Sequence, residues 1–391
     1  MKFNTITGQV ARGDDYLPRP EITGEIQNKL DAGSNLLLVA PRRVGKTSIM
    51  MHLFDNPPEN TIVIYYISQS VHNENEFYKG LFREITKRIG KIAKYKRTLT
   101  AGMKQVIKSI KAVGKNGIGL NHDAAIDYHN EVFILIKKLK VKEKLIILVD
   151  EFAETIENIA EKKDDGRQNA IHLLETFRAL RQLPEAQKKI QFVFAGSIGL
   201  ENIVESLACI KHINDITPVH ISPLTKNKAA ELSEKIIAGS GAEFGDGCLD
   251  YLFEAVEWLI PFYIQLILDE TARILTENEL KIITSTEISK AVNKVLTQSI
   301  NFRHWEDRLT SIFKDADLVF IKSVLNTLSK NKHSTAAQIT NIAAKNGLLD
   351  SYHNLLNVLK HDGYINNDED PKIYRFNSPL LKEYWRRNVA N

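Results

Sequence analysis

The spacing of apolar and polar positions changes rhythm twice along the chain. In the first region, short continuous apolar runs alternate with stretches of helical period. Leu36–Ala40, Thr61–Ile67, Lys144–Val149, Lys189–Ser197 and Pro218–Ile221 are the runs. Short apolar runs bounded by turn signals predict fully buried strands of a parallel sheet. Between them the pattern predicts a helix from about Glu21 to Ala32, two helices within 74–113, one near Ala124–Leu139 and one over Arg167–Leu183. Gly33 closes the first of these, and Asn56-Pro57-Pro58-Glu59 is a break. Strands that alternate with helices imply a doubly wound parallel sheet with helices on both faces.

After Pro223-Leu224 the pattern becomes helical throughout. Asn227–Gly239, Cys248–Trp258, Pro261–Thr276 and Thr286–Gln298 are the expected helices, with no strand between them. From Asp315 the rhythm shifts again. Leu318, Ile321, Leu325 and Leu328 line one helix face. Ser334 and Ser351 stand where the caps of two further helices are expected. Gly363–Ile365 and Ile373–Phe376 flank the acidic turn Asn367-Asp368-Glu369-Asp370 and read as a hairpin. Three helices and a hairpin make a winged helix. The expected fold is therefore α/β: a doubly wound, parallel, five-stranded core over residues 1–222, a helical lid domain over 223–310 and a winged-helix domain over 311–391.

A length of 391 residues fits two or three domains. Net charge is only +4, so any basic function has to be local. It is local in one place. Lys79, Arg83, Lys87, Arg88, Lys91, Lys94, Lys96, Arg97, Lys104, Lys108, Lys111 and Lys115 are opposed by Glu84 alone. The stretch Lys79–Lys115 is either a solvated helix face or an electrostatic footprint for nucleic acid or an acidic partner. Cys209 and Cys248 lack metal-ligand spacing and are expected to be free thiols in a reducing compartment. The start has no signal-peptide core, and no apolar run reaches membrane-span length. The expectation is a cytoplasmic protein that does not engage a membrane.

Candidate chemistry sits at the end of the first strand. Ala40-Pro41-Arg42-Arg43-Val44-Gly45-Lys46-Thr47, followed by Ser48, has the spacing of a phosphate-binding loop, with Ala40 in place of the first glycine. Gly45 lets the backbone approach a phosphate, and the helix beginning at Lys46 adds its positive end. Lys46 is suited to the β- and γ-phosphates of ATP, and the Thr47 hydroxyl to Mg²⁺. The strand 144–150 ends in Asp150-Glu151 at the carboxyl edge, where ligands bind in such sheets. There Asp150 is expected to serve the metal and Glu151 to act as general base. Arg178 and Arg181 share a helix face. They are surface charges or reach the γ-phosphate of a neighbouring protomer.

The motifs together resemble a known family. Ala40–Ser48, Val149-Asp-Glu-Phe152, Phe194-Ala-Gly-Ser-Ile-Gly-Leu200, Ile213-Asn-Asp215, Ser222-Pro-Leu224 and Pro261-Phe-Tyr-Ile-Gln265 are similar to the prokaryotic STAND ATPases. These are the signal-transduction branch of the AAA+ class, here its archaeal-type clade, akin to the Orc/Cdc6 ATPases. The resemblance implies a sensor role for Ser197 and places Arg19 and Pro261 close to the nucleotide. Pro18-Arg19 stands where the family usually has Gly-Arg, and Leu259-Ile260-Pro261 lacks the glycine of the family's Gly-x-Pro turn. Pro261 also fits simply as a helix start. The resemblance implies a Mg²⁺- and ATP-dependent switch with slow hydrolysis, a separate effector or sensor protein, a possible homo-oligomer and a defence-linked role. The alternative is a DNA-binding initiator or regulator of Orc/Cdc6 type.

Overall fold

A five-stranded parallel sheet carries the first half of the chain. Its strands are β1 (Asn35–Val39), β2 (Thr61–Ile67), β3 (Lys144–Asp150), β4 (Ile190–Phe194) and β5 (Ile216–His220), in the order β2-β3-β4-β1-β5. The computed structural model describes residues 2–95, 126–138, 143–187, 189–196 and 199–390. The chain folds as two units. One is Arg12–Val39 with Lys46–Ile221. The other is Met1–Ala11, Ala40–Gly45 and Ser222–Asn391.

In the sheet unit the helices are α1 (Pro20–Asp31), α2 (Lys46–Asp55), α3 (Glu74–Tyr95), α4 (Tyr128–Lys138), α5 (Phe152–Ala160), α6 (Gly166–Arg181) and α7 (Leu200–Ser206). Side chains alternate across the strands. Leu37, Ile64, Ile147, Phe192 and Phe194 face one core shared with α3 to α7. Leu36, Leu38, Val63, Leu148 and Val193 are equally buried on the other face. Both faces are covered, which is why the strands read as continuous apolar runs rather than alternating ones. The architecture is the α/β parallel sheet that the pattern predicts.

The second unit holds α8 (Lys226–Ile237), α9 (Cys248–Val256), α10 (Pro261–Glu277), α11 (Ser285–Thr297), α12 (Arg303–Ile312), α13 (Asp315–Lys330), α14 (Ala336–Lys345), α15 (Tyr352–His361) and α16 (Pro379–Asn388). Its N-terminal residues are laced onto α8 and α10. Asn4 donates its backbone N–H to the Ile236 carbonyl at 2.8 Å. The Thr5 hydroxyl donates to Asp269 and the Ile6 N–H to Gln265 Oε1, each at 2.8 Å.

Several local expectations are corrected. Of the two helices expected within 74–113, one is α3, Glu74–Tyr95, and the rest of that expectation lies outside the described residues. The helical region is not free of strands: β6 (Glu243–Phe244) pairs in parallel with β7 (Ile282–Ile283). Two-residue strands are too short to show a period of two, so the pattern could not reveal them. The hairpin is present as β9 (Ile365–Asn366) antiparallel to β10 (Ile373–Phe376), and β8 (Ser334–Thr335) adds a third strand. Ser334 is therefore a strand residue. Thr335 is the cap of α14, in a reciprocal pair with Gln338. Ser351 does stand at the N-cap position of α15, but with φ −119° and ψ −15° its side chain makes no capping hydrogen bond. The fourth strand stops at Phe194 rather than running to Ser197.

Candidate nucleotide site

β1 ends at Val39, the chain turns through Ala40–Gly45, and α2 begins at Lys46. Gly45 has φ +101°, a conformation open to glycine, while a Cβ built there meets nothing within 4 Å. Conformation, not crowding, therefore sets the residue type. Lys46 is the first residue of α2 and is 9 % exposed. Ser48 is half-buried on the same helix.

Within the sheet unit, Asp150 collects three donors. The Thr47 hydroxyl donates to Oδ2 at 3.0 Å, the Tyr65 hydroxyl to the same oxygen at 2.8 Å and the Glu151 N–H to Oδ1 at 3.1 Å. Asp150 is buried as the last residue of β3. Glu151 follows with φ 58° and ψ 33°, left-handed for a residue that is not glycine, at the N-terminus of α5. Such a backbone persists where its surroundings hold it. Here the Phe152 N–H bonds the Ala195 carbonyl at 3.1 Å, and the Thr155 hydroxyl bonds the Glu151 carbonyl at 3.2 Å.

These oxygens suit a hard cation. Mg²⁺ is commonly held by one or two carboxylates with phosphate oxygens and water, and a hydroxyl beside a single carboxylate fits that donor set. Among the described residues no cluster of three or more His, Cys, Asp or Glu could hold a metal by itself. Bound there, Mg²⁺ would be held by Thr47 and Asp150 and would supply charge stabilisation to the phosphates.

The loop residues Ala40, Pro41, Arg42, Arg43 and Val44 belong to the second unit, where the arginines meet the start of α10 and α12. The Arg43 guanidinium stacks 4.0 Å over the Phe262 ring. Arg42 Nη1 donates to the His304 carbonyl at 3.5 Å. Burial, with Arg43 and then Arg42 nearby, pushes the half-buried His304 imidazole down to about 3. Pro261 opens α10 one residue before Phe262. The aromatic chain continues inward. Tyr263 stacks on Phe302, which stacks on Tyr384 of α16. Trp305 Nε1 donates to the Tyr263 hydroxyl at 3.0 Å, and the Tyr364 hydroxyl donates to the Trp305 carbonyl at 2.6 Å.

A family profile described as an ATPase domain predominantly from Archaea matches residues 21–250, more than half of the chain. The chain belongs to this family. It is a nucleotide-binding ATPase. No curated protein sequence matches it. Solved structures with the same fold include a Walker-type ATPase of Pyrococcus abyssi, 14 % identical, with TM-score 0.65 over 96 % of this chain and 97 % of that one. Another is the ORC2 protein of Aeropyrum pernix in ADPNP–ADP complexes, 13 % identical, with TM-score 0.59 over 99 % and 97 %.

Other expected site residues of this archaeal-type ATPase are placed as follows. Arg19 is buried just before α1, where burial lowers its pKa. Ser197 lies outside the described residues. Arg181 is not a surface charge. It is buried, paired with Asp215 through two contacts of 2.8 Å, and donates to the His212 carbonyl at 2.7 Å. Arg178 is half-buried, and its Nε has no hydrogen-bond partner. Breaking a buried pair leaves a charge uncompensated, at a cost of about 3–5 kcal/mol. Arg181→Ala is therefore expected to lower the melting temperature sharply, by calorimetry, whereas Arg178→Ala leaves it nearly unchanged.

On α3, Lys79, Arg83, Lys87 and Arg88 have local partners, and the Lys91 and Lys94 side chains lie outside what is described. Arg83 and Lys87 pair with Glu84 at 3.1 and 3.3 Å. Arg88 lies 4.5 Å over Phe54, and Lys79 lies 5.9 Å from the Tyr128 ring centroid. The rest of the basic stretch, from Lys96 to Lys115, falls outside the described residues. Both cysteines are buried and unbridged. Among the described residues no helix is long and apolar enough to cross a membrane.

The sequence reading missed Tyr65, Phe262 and His304. Tyr65 carries no motif signal, because an aromatic residue is ordinary in a strand. Strand register alone puts it beside Asp150.

Proposed function

We propose that this ATPase is a Mg²⁺- and ATP-dependent switch of the STAND type, which couples nucleotide state to assembly or to a protein partner. In this reading Lys46 holds the phosphates, Thr47 and Asp150 hold the metal, and the Glu151 carboxylate takes the proton of the attacking water. Ser197 senses the γ-phosphate, and Arg19 and Pro261 flank the nucleotide. Residues 1–222 act as the core, 223–310 as the lid and 311–391 as a winged helix. The partner is a separate effector or sensor protein in the cytoplasm, and the pathway is defence-linked. Arg178 is the arginine suited to complete a neighbour's site in a homo-oligomer, since Arg181 is committed to Asp215.

The observation that carries the reading is Arg43 over Phe262. A cation–π contact at an exposed site is worth about 0.5–1 kcal/mol. A hydrogen bond to a charged group is worth about 1.5–3 kcal/mol. A phosphate in the loop therefore outcompetes the ring for Arg43. Releasing the ring acts on α10, and Tyr263, Trp305 and Phe302 link that helix to Tyr364 and Tyr384. The initiator reading has less support. Lys79, Arg83, Lys87 and Arg88 of α3 already have local partners, and the turn between β9 and β10 is acidic, which repels phosphate.

Amide hydrogen exchange over α12 to α16 tests the coupling. With a non-hydrolysable ATP analogue and with ADP, the native protein should exchange these amides at different rates. Phe262→Ala should abolish the difference while still binding both nucleotides. If the variant keeps the native difference, the coupling does not run through this contact.

A further inference from the structure

We propose that Tyr65 is a positioning residue for the metal-binding carboxylate, its hydroxyl holding Asp150 in the orientation that receives Mg²⁺. The inference rests on the assignment of Asp150 to the metal made above. Its geometry comes from the sheet. β2 and β3 run parallel in a register that pairs Tyr65 with Leu148 and Ile67 with Asp150. Paired residues in neighbouring strands point to the same face, and successive residues alternate. Tyr65 and Asp150 thus share a face, with Tyr65 one pleat behind. A phenol reaches forward across that distance, and the hydroxyl arrives 2.8 Å from Oδ2. The ring is half-buried and packs beside Phe54, with centroids 6.3 Å apart, so its direction is restricted.

The role follows from the difference between the two hydroxyls on Oδ2. The Thr47 hydroxyl donates to Asp150 at 3.0 Å here. In a metal complex its oxygen turns a lone pair towards the cation, and its hold on Asp150 changes. Tyr65 is not a ligand in this scheme, so its donation persists. With the Glu151 N–H on Oδ1, it fixes both oxygens of the carboxylate while leaving lone pairs for the cation. Groups that orient a metal-binding carboxylate in this way are typically worth about 10–100-fold in metal affinity.

Three proteins separate the outcomes: native, Tyr65→Phe and Asp150→Asn. Each is titrated with Mg²⁺ in the presence of a fluorescent ATP analogue, and the shift in nucleotide affinity reports metal binding without turnover. Nucleotide affinity in EDTA and the melting temperature are measured alongside. For Tyr65→Phe we expect half-saturation at about 10–100-fold higher Mg²⁺, with the affinity in EDTA unchanged. Native Mg²⁺ dependence in Tyr65→Phe, together with its loss in Asp150→Asn, would overturn the positioning role and leave the metal assignment standing. Native dependence in both variants removes the metal assignment itself. A lower melting temperature in Tyr65→Phe with an unshifted Mg²⁺ titration assigns the hydroxyl to stability alone and equally rejects the proposal.

Discussion

Lys46→Ala should abolish useful nucleotide binding while leaving the fold intact. The lysine is the first residue of α2 and is 9 % exposed, so on the proposed reading its ammonium would meet a phosphate in a partly desolvated place. Truncating one member of a buried, hydrogen-bonded charge pair costs about 2–5 kcal/mol. At about 1.4 kcal/mol per tenfold, affinity should fall roughly 30- to 4,000-fold. The backbone N–H groups of the loop and the positive end of α2 remain, so weak residual binding is expected. Titration with a fluorescent ATP analogue reads the loss directly. The apo melting temperature, measured alongside, separates loss of binding from loss of fold. Retained native affinity would show that the phosphates sit elsewhere.

Glu151→Gln should separate binding from turnover. Glutamine matches the shape of glutamate and can keep the left-handed backbone that Thr155 and Phe152 support. It cannot accept a proton. A positioned general base contributes about 10²–10⁴-fold, so single-turnover hydrolysis should slow by that factor with ATP still bound. A native rate in this variant would reassign the base. Asp150 is the contrasting case: its oxygens are already engaged by Thr47, Tyr65 and the Glu151 N–H, which suits a ligand better than a base.

The sheet was legible in the sequence because its strands are buried on both faces, and burial on both faces writes itself as an unbroken apolar run. Asp150 and Glu151 were legible for the same reason, as charges that end such a run. Nothing comparable marks β6, β7 and β8, two-residue strands without the flanking acidic turn that gave away β9 and β10. α12 went unread although Trp305, Arg308 and Leu309 are its buried stripe, because one large aromatic and one buried cation do not look like an apolar face. That omission hid His304. Arg181 was misjudged because an arginine near a helix end reads as a surface charge. Its partner Asp215 lies 34 residues away, a pairing that only the fold creates. Thr335 displaced Ser334 as a cap because α14 begins at Ala336, which makes Thr335 the residue before its first turn.

The second unit is assembled from three separate pieces of chain, and this has a consequence for its birth on the ribosome. Residues 2–11 and the loop Ala40–Gly45 emerge early, yet their packing partners Ile236, Phe262, Gln265, Asp269 and His304 come much later. At about 5–20 residues per second, the wait between Arg43 and Phe262 is on the order of tens of seconds. The sheet unit is complete at Ile221, before any of those partners exists. During synthesis the sheet can therefore form first, before the packing partners of Arg42 and Arg43 exist. A nascent chain halted between Ile221 and Phe262 would carry Lys46, Thr47 and Asp150 but not the ring that stacks on Arg43. The order of translation thus delivers Lys46, Thr47 and Asp150 well before the ring that packs on Arg43.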